Sequence, residues 1–168
     1  PQGIAREKER YLNSYPAVWM AGSFDYASAA FTHGALHELD AGFEFYAPQT
    51  MQTSDGRRLL VGWMGVPDGE EMRQPTRAHG WIHQMTCLRE LAWVDGKLFQ
   101  RPLRELSALR GEARGWQGNV LPLAPLEIAL DTAGDDALSL DFGGALTLER
   151  DGSGIRLARR SLANDEML

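Results

Sequence analysis

Apolar residues along this chain alternate with polar ones or cluster over four to eight positions, with Gly, Asp and Pro punctuating the clusters. Successive side chains of a strand point to opposite faces, so this pattern predicts a β-rich protein. Phe43 to Met51 and Arg57 to Met64 read as the two strands of a hairpin. They are joined through Thr53-Ser54-Asp55-Gly56, where Asp-Gly tolerates the positive φ of a tight turn. Met85 to Val94, Asp95-Gly96 and Lys97 to Gln100 repeat the arrangement, which returns around Gly143-Gly144 and Asp151-Gly152. No helix-period run longer than about three turns competes with it.

One stretch departs from this grammar. In 101–111, leucines fall at 103, 106 and 109, with Pro102 near the start and Gly111 after the end, which predicts a short two-turn helix. Beyond it the Trp- and His-bearing composition gives way to Leu, Asp and Gly with simple alternation, as in Leu138-Ser139-Leu140-Asp141-Phe142. A domain boundary is therefore expected near 101–112. The first part suits hairpins of a propeller or barrel and the second the opening strands of a β-sandwich; periodicity does not choose between these, and no internal repeat counts blades.

Composition narrows the class. Of 168 residues, 43% are hydrophobic and 24% charged, as in one globular domain or parts of two. No run approaches the roughly 18 apolar residues of a membrane span, so no membrane partner is expected. With 17 basic and 23 acidic residues the formal net charge is −6, and no Lys/Arg cluster is interleaved with aromatics. That argues against a nucleic-acid partner, which needs a basic face. The single cysteine, Cys87, fits a reducing compartment, and a cytoplasmic location is expected. The chain begins Pro1-Gln2-Gly3 and stops at Asn164-Asp165-Glu166-Met167-Leu168, which reads as a piece of something longer.

Several residues invite a chemical reading. His79 and His83, four apart, would share one face of a helix and could chelate a metal, but Gly80 and β-branched Ile82 disfavour a helix here. On a strand the two would stand roughly 13 Å apart, so structural or hydrogen-bonding histidines are the expectation and no metal is assigned. Two carboxylates about 5 Å apart are what a retaining glycosidase needs. Asp68, Glu70 and Glu71 read more simply as a solvated loop beside Pro67 and Pro75, whereas Glu44 sits among aromatics and is expected on a different face from Phe43 and Phe45. Glu38 and Asp40 complete that second acidic group. Cys87, between Thr86 and Leu88, suggests a strand interior and inert packing rather than a nucleophile. Trp63 and Trp81 each follow a glycine, which is one way to floor a sugar pocket. Core packing is the rival reading and the one composition favours, because burying ~150–250 Å² of indole is worth about 4–6 kcal/mol.

Phe43-Glu44-Phe45-Tyr46-Ala47-Pro48-Gln49-Thr50, then Gly62-Trp63-Met64-Gly65, then Gly80-Trp81-Ile82-His83 resemble glycoside hydrolase family 32, in particular its bacterial β-fructofuranosidases (invertases) and sucrose-6-phosphate hydrolases. The resemblance continues through Leu88-Arg89-Glu90-Leu91, Asp95 to Pro102 and Arg104-Glu105-Leu106, and fades past residue 112. It implies an all-β architecture: the last part of a five-bladed β-propeller over 1–100, a linker over 101–112 and the start of an incomplete β-sandwich over 113–168. It also implies retaining cleavage of the fructosyl bond of sucrose or sucrose 6-phosphate, a small-molecule sugar partner and no cofactor, and leaves the oligomeric state open. The family's catalytic carboxylates lie in Asn-Asp-Pro-Asn-Gly, Arg-Asp-Pro and Glu-Cys motifs, none of which occurs here. No catalytic residue is therefore assigned, and the 168 residues alone are expected to be inactive.

The resemblance does assign pocket wall, with Trp63 lining the fructosyl site and Tyr46 and Gln49 running near it. An aromatic face suits the C–H side of a sugar, and a phenol and an amide suit its hydroxyls. Glu44 stands where the family usually has aspartate, and Gln84 where it usually has cysteine. Arg73 and Arg77 are candidates for a 6-phosphate, because guanidinium suits phosphate bidentately, but a solvated loop is the stronger reading. The alternative is a non-catalytic β-rich carbohydrate-binding module built on Trp63, Trp81 and Tyr46. A remnant lacking upstream blades should also expose strand edges and associate.

Overall fold

The computed structural model describes residues 4–65, 71–115, 117, 120–121, 126–131, 134 and 136–161. Pro1-Gln2-Gly3, Asn164 to Leu168, Asp68 and Glu70 lie outside the described residues. The chain is all-β and divides into two compact units, Pro1–Leu103 and Arg104–Leu168.

The first unit is organised by a five-stranded antiparallel sheet. Strands β1 (Val18–Trp19) and β4 (His37–Glu38) pair in a short ladder, and β2 (Gly22–Asp25) and β3 (Ala30–His33) form a separate hairpin. The main sheet runs β5 (Phe45–Gln52), β6 (Arg58–Met64), β8 (Arg89–Val94) and β9 (Lys97–Pro102), with β7 (Gln84–Met85) also paired to β6. The Asp-Gly turns behave as local chemistry dictates. Between β8 and β9, Asp95 and Gly96 both take positive φ (48° and 76°), matching the twist of the strands they join. Between β5 and β6, the Gly56 amide donates to the Thr53 carbonyl (3.0 Å) with φ +86° at Gly56, and the Thr53 amide donates to the Arg57 carbonyl (2.9 Å).

The core is small. Ala17, Leu39, Phe45 and Leu60 are buried together, with Trp19, Leu91 and Leu98 packed against them. Gly62 makes room for this cluster: a Cβ there would lie 2.2 Å from Phe45 Cε2. Arg89 spans the cluster's rim. Its guanidinium pairs with Asp40, donates to Gln100 Oε1 (2.9 Å) and covers the Phe45 ring at 5.2 Å. Gln100 Nε2 in turn donates to the Leu39 carbonyl (2.6 Å), so one polar network ties β8 and β9 to the segment entering β5.

Three sequence expectations are corrected here. The strand expected over Met85 to Val94 is broken at 86–88: Trp63 pairs with Met85 but Leu60 pairs with Arg89, so three steps along β6 oppose four on the other side. One extra residue makes a bulge, held where Thr86 Oγ1 accepts from the Gly62 amide (3.1 Å) and the Thr86 amide donates to the Gly62 carbonyl (2.8 Å). Cys87 falls in this break and is exposed rather than buried in a strand interior. The helix expected over 101–111 is a 3-10 helix at Arg104–Leu109, following β9, which extends through Pro102. Leucines three apart fit three residues per turn rather than 3.6, and Leu109 is left exposed.

In the second unit β10 (Leu138–Asp141), β11 (Leu146–Asp151) and β12 (Gly154–Arg159) form an antiparallel meander. The turn between β10 and β11 has Gly143 and Gly144 at positive φ, with the Gly144 amide donating to Asp141 Oδ1 (2.6 Å). Asp151 caps the next turn by accepting from the Ser153 amide and hydroxyl. Those hydrogen bonds, the hydroxyl's first, hold the Asp151 carboxyl below its usual range.

Candidate functional site

The aromatic residues singled out on β5 and β6 meet directly. Tyr46 and Trp63 are cross-strand partners with ring centroids 6.1 Å apart, so they stand on one face of the sheet. Gln49 lies three positions beyond Tyr46, which in an unbroken strand would put it on the opposite face. The register shifts instead: Tyr46 opposes Trp63 while Gln49 opposes Val61, three steps against two. The extra residue sits in Ala47-Pro48, where Ala47 takes φ +45° and Pro48 has no amide to lose from the ladder. The bulge turns Gln49 onto the face of Val61, Trp63 and Tyr46, where it is exposed.

The row extends at both ends. Tyr15 lies 5.5 Å from Tyr46 on one side, and His83 meets Trp63 edge-to-face at 4.9 Å and 75° on the other. His83 is at φ +62°, with its side chain only 9% exposed and its Nε2 3.8 Å from Glu71 Oε1. Neither Tyr15 nor the pairing of Glu71 with His83 was legible in the sequence. Tyr15 is 31 positions from Tyr46 and carries no local signal of the contact, whereas Gly65, which a Cβ would bring to 2.4 Å from His83 Cγ, could have hinted at a ring seated above it.

The remaining candidates are scattered. Trp63 is half-buried and Trp81 is 51% exposed, so neither is the core residue that composition favoured. The burial went instead to Phe45 and Leu60, because Gly62 admits the Phe45 ring from the other face of β6. Glu44 precedes β5 at φ +62°, so strand alternation does not reach it. Its amide donates to Asn13 Oδ1 (2.9 Å) and its carbonyl accepts from the Gly65 amide (2.9 Å). His79 is exposed at the end of the 3-10 helix Pro75–His79, away from any strand. Among the described residues no group of three His, Cys, Asp or Glu could hold a metal ion. Arg73 and Arg77 are exposed on the 3-10 segments Glu71–Arg73 and Pro75–His79, and Arg77 contacts Met72 Sδ at 2.6 Å. Gln84 is exposed, with Nε2 3.9 Å from Met64 Sδ. A cavity of about 490 Å³ opens beside the β7–β8 break, lined by Met64, Cys87, Arg89 and Arg101 among others, and neither Tyr46 nor Trp63 lines it. No helix among the described residues is long and apolar enough to cross a membrane.

Chemically, the face holding Tyr46, Trp63 and Gln49 offers a π surface, a phenol and an amide, with no pair of facing carboxylates among its members. It is equipped to hold and orient a polyhydroxylated ligand and lacks its own acid–base pair.

Comparison with known proteins gives this arrangement its context. The chain is 80% identical over 167 residues to a sucrose-6-phosphate hydrolase of Salmonella typhimurium and 69% identical over 167 residues to one of Klebsiella pneumoniae. Each match covers 99% of this chain and only 36% of the relative, so the chain spans about a third of their length. A variant of the Bombyx mori GH32 beta-fructofuranosidase, solved in complex with sucrose, superposes over 100% of this chain and 38% of that one. Its TM-score is 0.65 at 20% identity, a likeness of fold. Residues 1–102 match the Glycosyl hydrolases family 32 N-terminal domain, and on that match the chain belongs to glycosyl hydrolase family 32.

Proposed function

We propose that the whole protein containing this chain cleaves the β-fructofuranosyl bond of sucrose or sucrose 6-phosphate with retention. In this reading 1–100 close a five-bladed β-propeller, 101–112 form the linker and 113–168 begin a β-sandwich. Trp63, Tyr46 and Gln49 are a wall of the fructosyl pocket. The observation that carries it is the bulge at Ala47-Pro48, which gathers the three side chains on one face although their spacing would separate them. Family membership and the names of the Salmonella and Klebsiella relatives support the reaction class. The same names weigh against the non-catalytic carbohydrate-binding module.

The residues of this chain bind and orient. The Trp63 ring packs on the C–H face of the fructosyl unit and excludes water from it, while the Tyr46 hydroxyl and the Gln49 amide exchange hydrogen bonds with sugar hydroxyls. The nucleophile and the acid–base carboxyl of the retaining mechanism come from elsewhere in the whole protein. A phosphorylated sugar and a lone thiol both suit a reducing cytoplasm.

The test uses the complete polypeptide of the native reading frame, assayed for fructose release from sucrose and from sucrose 6-phosphate, with Trp63→Ala beside it. Turnover of either substrate, with KM raised about tenfold or more by Trp63→Ala, is expected. No release from either substrate overturns the assigned reaction, and an unchanged KM removes Trp63 from the pocket. The 168-residue chain alone should release no fructose.

A further inference from the structure

We propose that His83 is a positioning residue for Trp63, held in turn by Glu71, and that it sets how tightly the pocket wall grips the sugar. The inference rests on the reading that Trp63 lines the fructosyl pocket. A Trp side chain that is half-exposed on a sheet face has rotamers to choose from, and a ligand that needs one of them must bear the cost of selecting it. Here the choice is narrowed by two neighbours. Tyr46 stands at 6.1 Å and 51° on one side of Trp63, and the His83 ring abuts it at 4.9 Å and 75° on the other.

The seating of His83 is specified by the backbone around it. Gly65, one residue past the end of β6 and two positions after Trp63, presents no Cβ. Any Cβ there would come within 2.4 Å of Cγ and 2.5 Å of Cδ2 of the imidazole. His83 itself adopts φ +62°, in the left-handed region that few residues other than glycine, asparagine, aspartate and histidine take, and only 9% of its side chain is exposed. Its outer nitrogen faces Glu71, with Nε2 3.8 Å from Oε1. That separation exceeds a hydrogen bond, and the carboxylate stands against the polar edge of the ring, where it favours the orientation that turns Nε2 toward it. Glu71 opens the 3-10 segment Glu71–Arg73, so the chain of contacts runs from that loop through an imidazole to the indole.

This arrangement acts on binding in the ground and transition states alike, so its loss raises KM and leaves kcat nearly unchanged. In the complete polypeptide, His83→Ala is expected to raise KM for the turned-over sucrose ester or sucrose about 2- to 12-fold, the range expected for one aromatic pair. His83→Phe keeps a ring against Trp63 and should recover most of the loss. Glu71→Gln, at a third-exposed site that tolerates change, should raise KM about twofold. The decisive comparison is a double-mutant cycle scored by kcat/KM: in a Trp63→Ala background, His83→Ala and Glu71→Gln should cost nothing further. Unchanged KM in His83→Ala, or a penalty that persists undiminished once Trp63 is gone, overturns the inference. If His83→Ala does not fold, the Glu71→Gln and His83→Phe arms decide it by the same criterion. Trp63→Ala without effect on KM instead removes the pocket-wall reading itself, and is distinguished because it is measured alone.

Discussion

Replacing Gly62 by Ala tests the packing that holds the two aromatic strands in register. Gly62 has no Cβ where the Phe45 ring passes. A methyl there would stand 2.2, 2.5 and 2.8 Å from Cε2, Cζ and Cδ2 of Phe45, against a comfortable carbon–carbon separation of about 3.5–4.0 Å. The ring would have to retreat by more than ~1 Å. It is 2% exposed, packed with Leu60 (1% exposed), Ala17 and Leu39, and roofed by the Arg89 guanidinium, so it has little space to retreat into. Overpacking of this kind costs about 1–3 kcal/mol, whereas alanine in a strand regains about 0.5–1 kcal/mol over glycine. The net expectation is a loss of about 1–2 kcal/mol, read as a lower urea midpoint at unchanged slope for the complete polypeptide, followed by tryptophan fluorescence. Phe45→Leu deletes the two ring atoms nearest the new methyl. The double variant should therefore be more stable than the sum of the two single losses, by about 1 kcal/mol or more. Gly62→Ala at or above wild-type stability, or a penalty undiminished beside Phe45→Leu, refutes the account.

Two further outcomes follow from the same structure. Arg89→Lys keeps the charge but loses the planar cover over Phe45 and the shared reach to Asp40 and Gln100; with both ion-pair side chains partly exposed (27% and 14%), the loss should be about 1–2 kcal/mol by urea unfolding, and wild-type stability would show the network contributes nothing. At the β5–β6 turn, the Thr53 hydroxyl, and then Arg57 Nε at 2.8 Å, hold the Asp55 carboxyl below its usual range. A depressed folded pKa contributes stability above the unfolded value and loses it as pH falls through the folded one. The urea-midpoint gap between wild type and Asp55→Asn should therefore be full at pH 7 and shrink below about pH 4, and a gap independent of pH would contradict the assignment.

What was legible in the sequence was local. Alternation and Asp-Gly pairs marked the β5–β6 and β8–β9 hairpins and the later meander, because a strand's face pattern and a turn's positive φ are decided within a few residues. Motif resemblance also points to Tyr46, Gln49 and Trp63, with no reference to their contacts. The leucine spacing at 103, 106 and 109 is legible too: it marks a short helix, and its three-residue step fits the 3-10 period.

Tertiary structure decided the rest. Whether Gln49 joins Trp63 or faces away depends on one unpaired residue in β5, which is defined only by β6 beside it. Cys87 is exposed because a second bulge against β6 lifts it out of the ladder, not because of its neighbours Thr86 and Leu88. Trp63 was left half-exposed once Phe45 took the space at Gly62, and His83 became its neighbour from 20 positions away through the space left at Gly65. The sequence by itself determined which segments are strands and which residue types could wall a sugar pocket. Which of those residues share a face was settled only by register and packing between distant segments, since a one-residue offset in either strand reverses the side to which every later side chain points.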